Sequence, residues 1–322
     1  MQSRETSADL WHQKPYYSLD AWCKNTYGRK LYKAALDIGC TCPNRDGTLD
    51  TRGCIFCSAG GSGDFAASRQ LSVTDQLNQA KALLSSKWTP EPGKPSLIAY
   101  FQAYTNTYGD PDRLLSCYEE ALSSPEVAGI SIATRPDCLS DIILEGLDRL
   151  RLLYPDRFIW IELGLQSIHD HTAARIRRGY PTSVFYDAAA KLHARKLPFI
   201  VHLILGLPGE TRLDLQESIR AVNQVHPFGV KLQLLHILKG TDLALLYESG
   251  KLPVLTQEEY LDLLTSCIAA LSPDICLHRI TGDGPRKLLI APQWSLAKRN
   301  VLNRLHALMK QRNLRQGDKI EK

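Results

Sequence analysis

The sequence lacks long hydrophobic runs, and its first residues lack an apolar stretch of signal-peptide length. No uninterrupted apolar segment approaches the about 20 residues that a membrane helix needs. Residues 1–11 are mostly polar or charged. These absences predict a cytoplasmic protein with neither a secretory leader nor a membrane partner.

Internal repeats and low-complexity segments are also absent. The chain has 322 residues, 44% of them hydrophobic, which suits one large α/β domain or two smaller ones. Its nine cysteines are an odd number, and some of them cluster at spacings typical of metal ligands. We therefore expect a reducing compartment and no disulfide scaffold.

Positive charge is concentrated at the carboxyl-terminal end. The segment 286–322 carries ten Lys and Arg against two acidic residues, whereas the whole chain has a net charge of only +5. A helical pattern over 294–311 places Lys298, Arg299, Lys310 and Arg312 opposite an apolar face. These four residues are candidate contacts to a polyanion such as RNA, and a merely solvated helix face is the alternative.

Short apolar runs alternate with helical patterns, which predicts parallel strands joined by helices. The predicted strands cover residues 34–38, 96–102, 129–133, 158–163, 199–205 and 230–235. The predicted helices between them cover residues 73–86, 111–123, 140–154, 182–195 and 211–225, and the proline-rich segment 88–95 is the nearest thing to a linker.

Six such units favour an α/β fold, a partial (βα)6 TIM-type barrel, with a doubly wound open sheet as the competing topology. We divide the chain into an amino-terminal extension (1–30), the partial barrel (31–240) and a carboxyl-terminal extension (241–322). The extension carries a further predicted strand and turn over 276–285 and the basic helix.

Three cysteines, Cys42, Cys54 and Cys57, share a glycine-containing loop directly after the first predicted strand. Three thiolates on one loop can bind three irons of a cubane cluster and leave the fourth iron open for another ligand. Cys40 lies two residues before Cys42, so a closed zinc site of four cysteines is an equally available reading of the cysteines alone.

Polar and glycine residues collect after the other predicted strands, at the edge where parallel α/β folds place their active sites. These segments are 102–108, 134–137, 162–167 and 206–211. Plainer readings are a structural carboxylate for Glu162, a surface position for Arg135 and a simple turn for Gly206–Gly209. His202 and His236 lie on or after apolar strands, and we expect a packing role for His202.

Taken in order, these motifs resemble the radical S-adenosylmethionine (SAM) proteins of the YhcC/YtqA group, relatives of the elongator catalytic subunit. The resemblance spans about residues 15–285 and rests on Thr41–Gly47 with Gly53–Cys57, Thr134–Asp137, Glu162–Ser167 and Gly206–Thr211. Two features depart from the wider superfamily. Eleven residues separate the first two cysteines, and Gln102–Asn106 replaces the usual Gly-Gly-Glu.

The resemblance implies a [4Fe-4S] cluster on Cys42, Cys54 and Cys57, with SAM on the open iron. It also implies a set of SAM contacts, while the catalytic residue remains unknown. The implied contacts are Gln102, Thr105 and Asn106 at the methionine part, Arg135, Asp137, Glu162 and Gln166 at polar atoms, and Gly206, Leu207 and Pro208 beside the adenine.

The same resemblance implies radical chemistry on the C5 side chain of a tRNA wobble uridine, trimming a carboxymethylaminomethyl arm to aminomethyl. It requires an external one-electron donor of the flavodoxin or ferredoxin type. A radical SAM enzyme acting on a small metabolite or a protein side chain is one alternative, and a non-catalytic zinc-binding adaptor is another.

Overall fold

A computed structural model describes residues 10–84, 94–282 and 284–320. The predicted linker 88–95 and the end of the first predicted helix therefore lie largely outside the described residues. No helix in these ranges is long and apolar enough to cross a membrane.

The core is one parallel sheet of seven strands in the order β1-β2-β3-β4-β5-β6-β8. The strands are β1 Tyr32–Leu36, β2 Leu97–Phe101, β3 Val127–Thr134, β4 Phe158–Gln166, β5 Phe199–Leu205, β6 Gly229–Leu234 and β8 Cys276–Arg279. A separate antiparallel pair joins β7 Ile237–Leu238 to β9 Leu289–Ala291. All six predicted barrel strands are confirmed.

The strand order decides between the two topologies that the sequence allowed. Strands β1 to β6 each pair with their predecessor along the chain, whereas a doubly wound sheet reverses direction at a switch point. The sheet is therefore a curled partial barrel, as predicted. The strand predicted within 276–285 is β8, and it extends the sheet by pairing with β6.

Helices cover the outer face of the sheet, and their ends follow ordinary capping chemistry. They are α1 Leu19–Tyr27, α2 Val73–Leu84, α3 Pro111–Ser123, α4 Asp141–Leu153, α5 Asp170–Arg175, α6 Thr182–Ala194, α7 Arg212–Val225, α8 Asp242–Glu248, α9 Gln257–Ala270 and α10 Lys298–Gln311. The Thr211 hydroxyl accepts from the amide of Asp214, whose carboxylate accepts in return from the Thr211 amide, so α7 begins with a capping box. The five helices predicted between the barrel strands are confirmed.

The basic helix is shorter than its pattern suggested. A 3₁₀ turn at Gln293–Leu296 precedes it, and α10 begins only at Lys298. Its buried face consists of Val301, Leu305 and Met309, which pack on the core beside α9.

Alternating side chains of each strand point into the barrel, where the amino-terminal end is sealed by aromatic residues. Trp22 on α1 lies 4.9 Å from the Trp160 ring, 5.5 Å from Phe158 and 5.6 Å from Phe228, measured between ring centroids. Trp160 belongs to a buried cluster that includes Ile98 and other residues near the starts of the strands. Helix α1 therefore covers this end of the barrel, opposite the carboxyl ends of the strands.

Candidate active site

A cavity of about 250 Å³ opens at the carboxyl ends of the barrel strands. Eight of the thirteen residues implied as cluster or SAM contacts line it: Cys42, Cys54, Cys57, Gln102, Thr105, Arg135, Glu162 and Gln166. Five lie outside the described lining: Asn106, Asp137, Gly206, Leu207 and Pro208. The motifs therefore meet at one site, where some of their residues line the cavity and others do not.

The long cysteine loop folds back on itself because its own polar side chains fasten it. The Arg45 guanidinium donates to the carbonyls of Cys57 (2.8 Å) and Ser58 (2.9 Å). Gly53 has a φ of +76°, and a Cβ there would lie 2.3 Å from Arg45 Nε. Glycine is therefore required where the chain turns beside Arg45. This turn directly precedes Cys54 and lets the loop fold back despite the eleven residues between Cys42 and Cys54.

Hydrogen-bond donors face the thiols of this loop. Asn44 Nδ2 lies 3.6 Å from Cys54 Sγ, and Arg135 Nη1 lies 3.8 Å from Cys42 Sγ. Burial, followed by the neighbouring Cys57 and Cys42, raises the pKa of Cys54 to about 12. The Cys54 thiol is thus protonated without a metal, and a cationic ligand beside it would favour its deprotonation.

The four cysteines of the loop region do not form a single-ion site. In residues 10–84, 94–282 and 284–320, no group of three or more His, Cys, Asp or Glu side chains could hold a metal ion. Cys40 packs in the hydrophobic core instead of lining the cavity. Burial raises its pKa to about 11, opposed by the nearby Arg113. Cys40 is therefore not brought together with the other three cysteines into a four-cysteine zinc site, whereas Cys42, Cys54 and Cys57 line one cavity.

Gln166 at the end of β4 has the features of a group shaped for a ligand. Its backbone has a φ of +66°, in the left-handed region that non-glycine residues seldom occupy. Its buried Oε1 has no hydrogen-bond partner among the described residues, although Gln166 lines the cavity. A strained, unsatisfied amide at the cavity wall suits a polar atom of a bound cofactor.

Asp137 and Asn106 act on the site through their neighbours. Asp137 accepts from Arg135 Nε at 2.9 Å and from Nη2 at 2.7 Å, so it orients the guanidinium that faces Cys42. Asn106 Nδ2 donates to the carbonyls of Phe101 (3.1 Å) and Ala133 (3.0 Å), which joins the ends of β2 and β3.

The turn at Gly206–Pro208 supports the cysteine loop from below. Gly206 has a φ of +89°, which glycine tolerates. Leu207 is buried in a cluster with Ile55, which lies between the second and third cysteines. The turn therefore packs against the cysteine loop.

One buried carboxylate, Glu162, joins most strands of the barrel halfway along its interior. Glu162 Oε1 accepts from Lys33 Nζ (3.0 Å) and Ser131 Oγ (2.6 Å). Its Oε2 accepts from His202 Nε2 (2.7 Å) and from Lys231 Nζ. These partners belong to β1, β3, β5 and β6. Both oxygens of Glu162 are therefore already occupied by protein donors.

Electrostatics fix the protonation states of this cluster. Burial alone would raise the pKa of Glu162, but Lys231, then Lys33 and His202, hold it well below its usual value. Burial, reinforced by Lys231, lowers the pKa of His202 to about 4. His202 is thus neutral at pH 7 and donates its Nε2 proton to the Glu162 carboxylate. This role combines the expected packing function of His202 with a place on the cavity wall.

Sequence reasoning missed most members of this cluster. Lys33 and Lys231 stand in mostly apolar strands, and Lys231 Nζ also donates to Tyr100 Oη at 3.0 Å. The available signal was a lysine in the middle of a strand buried on both faces, because such a charge needs an internal partner.

The basic helix reaches the site with one end only. Lys298 is exposed, but desolvation of its ammonium group, followed by the nearby Arg279, lowers its pKa, and Arg279 lines the cavity. At the other end, Arg312 Nη1 lies 2.5 Å from Asp262 of α9. Lys298 is therefore near the cavity-lining Arg279, and Arg299 follows it in the first turn of α10, whereas Lys310 and Arg312 lie at the far end of the helix.

Three aromatic residues near these segments, Tyr104, Tyr108 and Trp294, have different surroundings. Tyr104 lines the cavity, and Tyr108 Oη lies 2.9 Å from Thr48 Oγ1 on the cysteine loop. Trp294 donates from Nε1 to the Leu255 carbonyl (3.1 Å) and packs near Tyr260. Its role is core packing.

Comparison with known proteins agrees with the geometry. Residues 42–222 match the family described as the radical SAM superfamily, and residues 227–311 match the radical SAM C-terminal domain. The chain is 41% identical over 305 residues to YtqA of Bacillus subtilis (95% of this chain, 92% of that protein). It is 36% identical over 271 residues to YhcC of Escherichia coli K12 (83% of this chain, 84% of that protein).

Similarity to Elongator complex protein 3 is more distant. The mouse protein is 26% identical over 175 residues, covering 52% of this chain and 30% of that protein. The structure of archaeal Elp3 from Methanocaldococcus infernus has a TM-score of 0.65 at 16% identity, covering 89% of this chain and 64% of that chain. It shows the same fold, and our chain spans less than two thirds of its length. The chain belongs to the radical SAM superfamily, which implies a [4Fe-4S] cluster and SAM as cofactors.

Proposed function

We propose that Cys42, Cys54 and Cys57 ligate a [4Fe-4S] cluster at the cavity and that SAM binds beside it. The supporting observation is that all three thiols line one cavity together with Gln166, whose amide oxygen has no other described partner. When bound, the cluster supplies the electron that cleaves SAM to methionine and a 5'-deoxyadenosyl radical.

The residues around the cavity orient and shield this chemistry. Gln102, Thr105 and Gln166 offer polar atoms to SAM, and Arg135, held by Asp137, offers a cation to its carboxylate. Asn106, Glu162 and the turn at Gly206–Pro208 serve as support, because each is bonded to or packed against neighbouring protein groups. The sealed amino-terminal end of the barrel excludes water from below.

We propose that the substrate is a tRNA wobble uridine whose carboxymethylaminomethyl arm is trimmed to aminomethyl. The resemblance to the YhcC/YtqA group and to the elongator subunit motivates this choice, and positive charge at the mouth agrees with it. A base in a single-stranded anticodon loop can be unstacked at lower cost than one in a duplex.

The proposed conversion balances if the two-carbon unit leaves as glyoxylate. The CH2 group between the nitrogen and the carboxylate loses one hydrogen atom, which appears in 5'-deoxyadenosine. The resulting radical then loses one electron, and the nitrogen loses one proton, which gives a C=N bond. The electron passes to the external carrier, and the proton passes to water. One water molecule hydrolyses the resulting C=N bond and releases the amine and glyoxylate. We place the reaction in the cytoplasm, with a flavodoxin- or ferredoxin-type protein as the carrier.

Anaerobic reconstitution tests the proposal in two steps. A brown protein containing iron and sulfide, which forms 5'-deoxyadenosine from SAM, supports the cofactor assignment; a colourless zinc protein contradicts it. Nucleoside mass spectrometry then follows loss of the carboxymethylaminomethyl uridine and formation of glyoxylate. SAM cleavage without tRNA binding or a changed nucleoside would instead favour a small metabolite or a protein side chain as substrate.

A further inference from the structure

One wall of the cavity mouth is formed by the segment that follows β8. Arg279, Gly282 and Pro285 line the cavity on this side, together with His236. The residues of this wall are far from the cysteine loop in the sequence, because all of them come from the carboxyl-terminal part of the chain.

His236 holds the pieces of this wall together. A Cβ on Gly282 would lie 2.3 Å from His236 Cε1, so the loop passes directly over the ring. His236 Nε2 lies 3.1 Å from the Ser295 hydroxyl oxygen, just before α10. Strand β7 begins at the next residue and pairs with β9, and the Lys239 amide donates to the Leu288 carbonyl at 2.8 Å. The end of β7, the turn at 286–288 and the start of α10 therefore belong to one wall.

This wall carries exposed cations that we call the basic rim. Its members are Lys239, Arg286, Lys287, Lys298 and Arg299. Within the segment 279–300 the only acidic residue in the sequence is Asp283, which lies outside the described residues.

The other end of α10 has a different electrostatic setting. Arg304 Nη2 lies 2.6 Å from Glu258 Oε1, and Arg312 Nη1 lies 2.5 Å from Asp262 Oδ1. Both acids belong to α9, so these arginines contribute to helix packing as well as to the overall charge. The basic rim adds exposed positive charge beside the cavity.

We propose that the basic rim binds the phosphates that flank the nucleotide inserted into the cavity. This inference rests on the proposed function and assigns its RNA-binding surface to Lys239, Arg286, Lys287, Lys298 and Arg299. It moves the main contact away from Lys310 and Arg312, which the sequence had grouped with the start of the helix. Lysine and arginine at this place neutralise phosphates without reading sequence and orient the strand so that one base enters the barrel.

The test compares charge reversals of equal size at opposite ends of the barrel. Arg286→Glu/Lys287→Glu changes the rim, and Lys30→Glu/Lys196→Glu changes two exposed lysines that precede β1 and β5. A third variant, Lys310→Glu/Arg312→Glu, changes the far end of α10. Binding of unmodified tRNA to each reconstituted protein is measured from 50 to 300 mM salt, with thermal melting by circular dichroism as the folding control.

We expect the rim variant to bind tRNA at least about tenfold more weakly than the wild type. Its slope of log K against log salt should be shallower by about 1.4–1.8, the value for two lost phosphate contacts. The Lys30/Lys196 variant should match the wild type, and the Lys310/Arg312 variant should lose less affinity than the rim variant. If the reversed rim variant does not fold, Arg286→Gln/Lys287→Gln replaces it.

Two results would overturn the inference in different ways. If the wild type binds tRNA and the rim variant binds it equally well, or if only the Lys310/Arg312 variant fails, the rim is not the RNA surface and the proposed function survives. If the wild type cleaves SAM but binds no tRNA at any salt concentration, the proposed substrate itself is wrong.

Discussion

The two ends of the barrel are built from opposite chemistry. At the amino-terminal end, Trp22 seals the interior against Phe158, Trp160 and Phe228. At the carboxyl end, thiols, guanidinium groups and an unsatisfied amide face an open cavity. Apolar contact stabilises the first end, whereas the second contains groups that raise the free energy of the empty protein. The contrast separates stability from chemistry, and substitutions at each end should therefore affect different measurements.

The largest effect is expected from the cysteine loop. Cys54→Ala should remove cluster binding and reduce 5'-deoxyadenosine formation more than about a thousandfold, because two thiolates do not hold the cluster in place. The unfolding temperature of the metal-free protein should change little. Iron content and SAM cleavage measure the effect.

Cys40→Ala is the matched control, since Cys40 lies two residues from Cys42 but packs in the core. It should keep its iron and its activity. Loss of iron in this variant would support the alternative in which Cys40 is a fourth metal ligand, contrary to its position in the core.

Between the two ends, Glu162 should show the largest effect on stability. Glu162→Gln keeps the shape but leaves the buried Lys231 and the partly buried Lys33 without their counter-charge, at a cost of about 3–5 kcal/mol. Adding Lys231→Met to this variant should recover part of the loss, because it removes one of the two unpaired ammonium groups. Urea unfolding measures both, and an unchanged midpoint for Glu162→Gln would show that the ion cluster is not formed in solution.

At the sealed end, Trp22→Ala should lower the free energy of unfolding by about 3 kcal/mol, because four aromatic rings lose their partner. Trp22→Phe should cost less. SAM cleavage per folded molecule should stay at the wild-type level in both, when assayed well below the unfolding temperature. Reduced cleavage in fully folded protein would show that this end takes part in the chemistry.

The histidine of the central cluster predicts a pH dependence. The pKa of His202 is about 4 in the folded protein and about 6.5 when unfolded, so the unfolded state binds more protons between these values. Stability should therefore fall as the pH drops through this window, by about 2 kcal/mol between pH 7.5 and pH 5 from His202 alone. His202→Gln, which cannot titrate, should flatten the urea-unfolding profile by that amount; an equally steep profile would assign the effect to other groups.

The sequence predicted the outer architecture more completely than the interior. Alternating apolar runs and helical patterns determine strands and helices locally, and the barrel strands and helices that they predicted are confirmed. The cluster around Glu162 depends on six strands meeting across the barrel, which no local pattern contains. Lys33 and Lys231 are 198 positions apart in the numbering and bind opposite oxygens of one carboxylate. Likewise, only the fold separates Cys40 from Cys42 or divides the two ends of α10.

The smallest effect should come from Gln166, where stability and binding are expected to change in opposite directions. Gln166→Gly removes an unsatisfied buried amide and relieves a φ of +66°, so the SAM-free protein should become more stable by about 1 kcal/mol. Gln166→Ala loses the same amide but keeps the strained backbone, so it should be about 1 kcal/mol less stable than the glycine variant. Both should weaken SAM binding to a similar extent, about five- to tenfold for one lost hydrogen bond. Calorimetric titration and urea unfolding measure the two properties separately. A glycine variant that is less stable than wild type, or that binds SAM normally, would mean that the side chain serves the fold at this position and not the ligand.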